Sequence, residues 1–333
     1  MKNSKKTGIF SALILIFLSP LIQGTEEKII QQQTYTPQVI INAPWGNKSG
    51  EFGLYVEGPI MGPSTFTIAP NGDIYIVDTF NNRIQRFTPA GSFVAAFPAV
   101  GSGWAEDIAV DANGNVYLLF LGPARVWKSD QEGNRLKIIE TFDNYENRHD
   151  EDIRGMDIGG GPTKIFCDNS GRLFMRYYSE KDLNFKIFQL GTDVAEFSPA
   201  QQKATLRTGF VSDNGLSLNQ DRIFGMVDGK MYLLDNTDKA VKEYKHIANP
   251  RLLVGTDAEG CIYLHAFDMD KDTELVRKYD PEGRLLAVIE WKNVGYAQHN
   301  LNRSITVDAK GDVYVLGSSK DGITLTKWSP SGK

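Results

Sequence analysis

NGDIYIVDTFNNRIQRFTPAG, running from Asn71 to Gly91, holds two apolar runs, IYIV and RIQRF, on either side of the polar cluster DTFNNR. Short β-branched and aromatic runs of this kind read as strands. The Asn-Gly pair before them and the Ala-Gly pair after them supply the positive φ of tight hairpins. DTFNNR then reads as a turn between strands rather than as a site. Asx side chains in turns bond nearby backbone, and Arg83 stands within reach of Asp78.

The same plan recurs along the chain as DIAVDANGNVYLLFLGPARVWKSDQEGNRLKII, KIFCDNSGRLFMRYYSEKDLNFKIFQL, DGKMYLLDNTDKAVKEY, LLVGTDAEGCIYLHAFDMDKDTELVRKYDPEGRLLAVIEW and SITVDAKGDVYVLGSSKDGITLTKWSPSG. Each unit reads strand, turn, strand, polar loop, strand, turn, strand, and no segment keeps a helical period. Units that pack only on their neighbours form a ring, so the expected fold is all-β: a six-bladed β-propeller of four-stranded antiparallel blades. The blades are expected near residues 63–97, 104–140, 161–198, 204–247, 250–291 and 301–333. The last unit is one strand short, and an unpaired edge is normally covered. QVIINAPWG (Gln38 to Gly46) is expected to fill that place and close the ring.

Residues 1–24 carry Lys2, Lys5 and Lys6, an apolar run from Ile9 to Leu18 and a small residue at Gly24, the pattern of a secretory signal peptide. The run is too short to span a bilayer. The expectation is an exported chain, periplasmic or extracellular, with one domain over residues 25–333. Without the three leader lysines, 33 basic residues face 41 acidic ones, a net charge near −8. That gives no support for nucleic acid or an anionic membrane as partner. The expected state is a monomer. Cys167 and Cys261 are the two cysteines, so the fold relies on its own core and at most one disulfide.

WGNKSGEFG (Trp45 to Gly53) followed by GPSTFTIAPNGDIYIVDTFNNRIQRFTPAGSF resembles the NHL repeat, a propeller-blade repeat, in its Gly-rich lead-in, Asn-Gly turn, aspartate and Asn-Arg-Ile run. The resemblance is specific over Trp45 to Phe97 and fades afterwards. NHL-like propellers include peptidylamidoglycolate lyases, which bind zinc through histidines at the starts of inner strands. The matching positions here are Ser64, Glu106, Thr163, Leu252 and Arg303, none of them histidine. Gluconolactonase-like propellers hold a divalent ion with channel carboxylates and amides; Glu106 and Asp107 offer carboxylates, without a matching set of partners.

The mouth of the central channel is where a propeller collects its ligand groups. The residues expected there are Glu106, Asp107, Lys164, Tyr178, His265, His299 and Arg303. Asp268, Asp270 and Asp272 in DMDKDTE resemble the start of a calcium loop, but Thr273 stands where an EF-hand needs Gly and Tyr279 where it needs Glu. No cofactor is predicted; calcium or zinc is the alternative. Nucleophile-elbow, phosphate-loop and Cys-x-x-Cys signatures are absent. The leading functional reading is a binding module for a protein, peptide or carbohydrate partner. The alternative is a metal-dependent lyase or hydrolase at the same mouth, which requires several of these groups to converge.

Overall fold

The computed structural model describes residues 33–99, 105–120, 125–140, 161–167, 171–179, 184–190, 201–207, 216–219, 222–227, 230–234, 240–247, 252–292, 295–297 and 303–331. The expected leader, the loop 141–160 and His299 lie outside them. The described residues form small antiparallel sheets, each of four strands ordered outward from an inner strand. In chain order these are β2 (Thr65–Ile68), β3 (Ile74–Asp78), β4 (Arg83–Phe87) and β5 (Phe93–Pro98); then β6 (Ala105–Val110), β7 (Val116–Phe120), β8 (Arg125–Ser129) and β9 (Arg135–Glu140). The third sheet holds β10 (Gly161–Cys167), β11 (Leu173–Ser179), β12 (Asn184–Leu190) and β13 (Gln201–Arg207). The fourth holds β14 (Leu216–Asn219), β15 (Arg222–Val227), β16 (Lys230–Leu234) and β17 (Ala240–Glu243). The fifth holds β18 (Leu252–Thr256), β19 (Ile262–Asp268), β20 (Thr273–Tyr279) and β21 (Leu285–Lys292). The sixth is built from β22 (Ile305–Val307), β23 (Val313–Ser318), β24 (Gly322–Pro330) and, outside β24, β1 (Tyr35–Pro44). Among the described residues no helix is long and apolar enough to cross a membrane.

The inner strands neighbour one another in turn, β2 beside β6, β6 beside β10, β14 beside β18, β18 beside β22, and β22 back beside β2; the third sheet meets β14 through β11 and β12. The architecture is an all-β propeller. Its core is a set of apolar layers between successive sheets. Ile84, Phe97, Ile108 and Leu118 fill one, and Phe52, Phe66, Ile76 and Leu325 another. Gln201–Arg207 pairs with β12 as the outer strand of the third sheet, so that sheet extends past residue 198 and the fourth begins at Leu216 rather than near 204. The composition of this outer strand, QQKATLR, gave no apolar run by which to place it.

One turn chemistry repeats. In DANGNVY, Asp111 Oδ1 accepts the N–H groups of Asn113 and Asn115 and its Oδ2 accepts the Tyr117 hydroxyl at 3.0 Å. Asp308 does the same for Lys310, Asp312 and Tyr314, and Asp257 for Cys261 and Tyr263. Each tyrosine then faces a cation directly across the next strand: Lys128 opposite Tyr117, Lys278 opposite Tyr263 and Lys327 opposite Tyr314, with each ammonium 5.4 to 5.7 Å from the ring centre. The first sheet keeps the pair as Tyr75 and Arg86 but has Ala69 at the aspartate position. Arg86 lies 5.8 Å from the Tyr75 ring centre and pairs with Asp73 at 2.6 Å.

Candidate functional site

DTFNNR folds as the sequence reading expects, but its bonds reach beyond its own loop. Thr79–Asn81 is a single 3-10 turn ended by Asn82 at φ 50°. Asp78 is buried; its Oδ1 accepts Gly53 N–H at 2.8 Å and its Oδ2 accepts from Asn81, Arg83 and Gln85. Arg83 completes the clamp, its Nη1 on the Asn47 carbonyl and its Nη2 on those of Lys48 and Glu51, at 2.7 to 2.8 Å. The cluster therefore holds the Gly-rich lead-in against the first sheet, and Trp45 Nε1 ties the same lead-in to the Ser319 carbonyl of the sixth.

Of the residues expected at the channel mouth, the described contacts join Asp107 and Arg303. Pairing in β6 jumps from Ala105 opposite Phe120 to Asp107 opposite Leu119, so Glu106 is a bulge residue. A bulge re-aims the side chains next to it. Asp107, 1% exposed, turns to the inner strands: its Oδ1 accepts from Thr65 Oγ1 at 3.1 Å and its Oδ2 from Ile165 N–H at 3.0 Å. Arg303, 15% exposed, stands two residues ahead of β22 and reaches Asp107 Oδ2 with Nη2 at 2.6 Å. Its remaining contacts are the Ile108 carbonyl at 3.3 Å, the Ile165 carbonyl at 3.4 Å and Thr67 Oγ1 at 3.5 Å. One guanidinium thus touches three inner strands, β2, β6 and β10.

His265 and the acidic turn are engaged within their own blade. His265, on the second strand of the fifth sheet, bonds Glu274 Oε2 through Nε2 at 2.5 Å and stacks on Trp291, 6.4 Å between ring centres. Lys164 sits in β10 opposite Arg176, and Tyr178 in β11 opposite Gly161. Asp268 Oδ1 accepts the N–H groups of Asp270 and Lys271, and the Lys271 ammonium is 3.4 Å from its Oδ2. Asp268, Asp270 and Asp272 thus form a solvated turn and, among the described residues, do not converge on a cation.

A group the sequence reading missed is Asp257, Glu259 and Cys261, whose ligand atoms lie within 4.8 Å of one another. Its trace in the sequence is the alternation in DAEGC. The site is poorly suited to a cation. Asp257 already accepts from Cys261 N–H and Tyr263 Oη, and the buried Lys278 ammonium sits 3.4 Å from its Oδ2. Burial, reinforced by the Asp257 carboxylate, pushes the Cys261 thiol up to about 11, which keeps it protonated at neutral pH. Cys167 and Cys261 are not joined in a disulfide. Among the described residues at the inner strands, Asp107 spends its oxygens on the Arg303 guanidinium, Thr65 Oγ1 and the Ile165 N–H.

No family model and no curated protein matches the chain. Solved structures do. One named as a gluconolactonase candidate is 12% identical with TM-score 0.51, covering 89% of this chain and 92% of that one. A streptogramin B lyase is 13% identical with TM-score 0.46, covering 89% and 98%, and a gluconolactonase from Xanthomonas campestris is 14% identical with TM-score 0.45, covering 81% and 85%. At these identities the likeness is one of fold, and the class it supports is the β-propeller.

Proposed function

We propose that the chain is an exported, NHL-like propeller of six blades, the sixth completed by β1, that acts as a lyase or hydrolase on a small polar substrate where the inner strands begin. The observation that carries this reading is the Asp107–Arg303 pair. A buried ion pair seldom adds net stability over apolar packing, so its placement across three inner strands calls for a use beyond folding. Arg303 would steady developing negative charge on a substrate oxygen, a role oriented donors perform well in a water-poor site. The occurrence of gluconolactonases and a lyase among propellers of similar architecture supports the enzymatic reading. A second reading, a binding module at the same mouth, is favoured by His265, which bonds Glu274 across the second and third strands of its own blade.

The test is an assay of δ-gluconolactone and p-nitrophenyl ester opening by the purified chain, with and without EDTA, on wild type and Arg303→Gln. Turnover that survives EDTA and falls at least about a hundredfold in the variant supports the enzyme, the scale of losing one oxyanion donor. Turnover equal in the two proteins moves the site away from Arg303. No turnover on any substrate favours the binding module.

A further inference from the structure

Among the described residues, Arg83 and Arg303 each reach several backbone carbonyls and differ in the length of the bonds they make. Arg83 uses Nε, Nη1 and Nη2 in bonds of 2.7 to 2.8 Å, the range of strong charge-assisted bonds. Arg303 makes one such bond, to Asp107; its other contacts, at 3.3 to 3.5 Å, lie at the limit of hydrogen bonding, and its Nε has no partner among the described residues. Asp107 in turn meets Arg303 through Oδ2, while Oδ1 accepts from Thr65. The two-pronged geometry by which a guanidinium grips a planar carboxylate is half used.

We propose that Arg303 is the recognition group for a small carboxylate ligand, which takes the Nε–H and shares or displaces Asp107 at Nη2. This rests on the reading that the channel mouth is the working site and names the ligand class it takes. Asp107 acts as an internal stand-in: it keeps the cation neutralised when the site is empty and competes with the incoming acid. Arg83, which holds the lead-in, spends four of its five N–H donors in short bonds, whereas Arg303 spends one.

Succinate binding to the full chain, followed by calorimetry and by thermal shift, tests the proposal, with succinamide as neutral control and inorganic phosphate as a second anion. Wild type is expected to bind succinate and not succinamide, with phosphate weaker. Arg303→Gln is expected to lose about tenfold or more in affinity, the scale of one charge-assisted bond. Asp107→Asn removes the competitor and is expected to bind succinate about tenfold more tightly, even though it melts lower. The gain separates recognition from a structural role, which predicts only loss, and it decides the matter if Arg303→Gln does not fold. The proposal is overturned if wild type does not bind succinate, if Arg303→Gln binds it equally, if Asp107→Asn binds no better, or if phosphate binds as well as succinate. Succinate binding as expected without ester or lactone turnover sinks the enzymatic reading alone. Arg303-dependent turnover that succinate does not inhibit sinks the carboxylate assignment alone.

Discussion

Asp78 shows what one buried carboxylate does when four donors converge on it. Replacing it with Ala strands the Arg83 guanidinium and frees Gly53 N–H, Asn81 and Gln85 together. Removing one partner of a buried pair costs about 3 to 5 kcal/mol, so Asp78→Ala is expected to lose about 3 kcal/mol in urea unfolding; a loss below about 1 kcal/mol would contradict the clamp. Cys261 carries a second prediction. Its buried, protonated thiol should react with iodoacetamide far more slowly than Cys167, which is half-buried, until the chain is unfolded. Equal native labelling at neutral pH would count against that environment. At this scale the sequence was partly legible. The Asp78–Arg83 pair and the turn were readable from spacing, because both partners lie on one short connection. The Asp107–Arg303 pair was not, because its members stand 196 residues apart and only the ring brings them together.

Among the elements, the hairpins were the most legible, since Asn-Gly, Glu-Gly and Lys-Gly pairs mark φ values only glycine adopts freely. Gly133 sits at φ 84°, where an added Cβ would lie 2.4 Å from the Phe97 side chain of the neighbouring sheet; Gly171, at φ 75°, has open space. Gly171→Ala should therefore cost about 1 kcal/mol of backbone strain, and Gly133→Ala distinctly more, as read by paired thermal melts. Equal costs would contradict the contact. The bulges were not legible at all. In the outer strand of every sheet the pairing skips one residue: Val94, Leu136, Lys203, Val241, Leu286 and, in β1, Ile40. This accounts for the exposed Val94, Leu136 and Val241 (45%, 54% and 64%), which the pairing leaves out on the rim. Bulges twist an outer edge away from the pairing it would otherwise offer a second chain. That β1 carries the same irregularity as five other outer strands supports its place as a fourth strand.

On the scale of the whole molecule, tyrosines bind the N-terminal strand to the ring. Tyr35 of β1 meets Tyr263 Oη and the Gly311 carbonyl, each at 3.2 Å, while Lys278 reaches Gln33 at 3.0 Å. Burial raises the pKa of Tyr35, Tyr263, Tyr314, Tyr75 and Tyr244. An unfolded thiol ionises near 9 and unfolded tyrosines near about 10, so above those values the unfolded state sheds protons that the folded state keeps. Stability is thus fully present below about pH 9 and is lost as pH rises beyond it. Urea midpoints should fall from about pH 9 and more steeply above about pH 10; a flat profile would contradict the buried tyrosine network. The repeat revealed the architecture because each blade restates it, whereas the proposed site is stated once, by Asp107 and Arg303 from different blades. The most direct test of that chemistry is a crystal structure of the chain soaked with succinate. The account predicts a carboxylate within hydrogen-bond distance of Arg303 Nε at the channel end. Succinate bound on another face, with Arg303 still held by Asp107 alone, would contradict it.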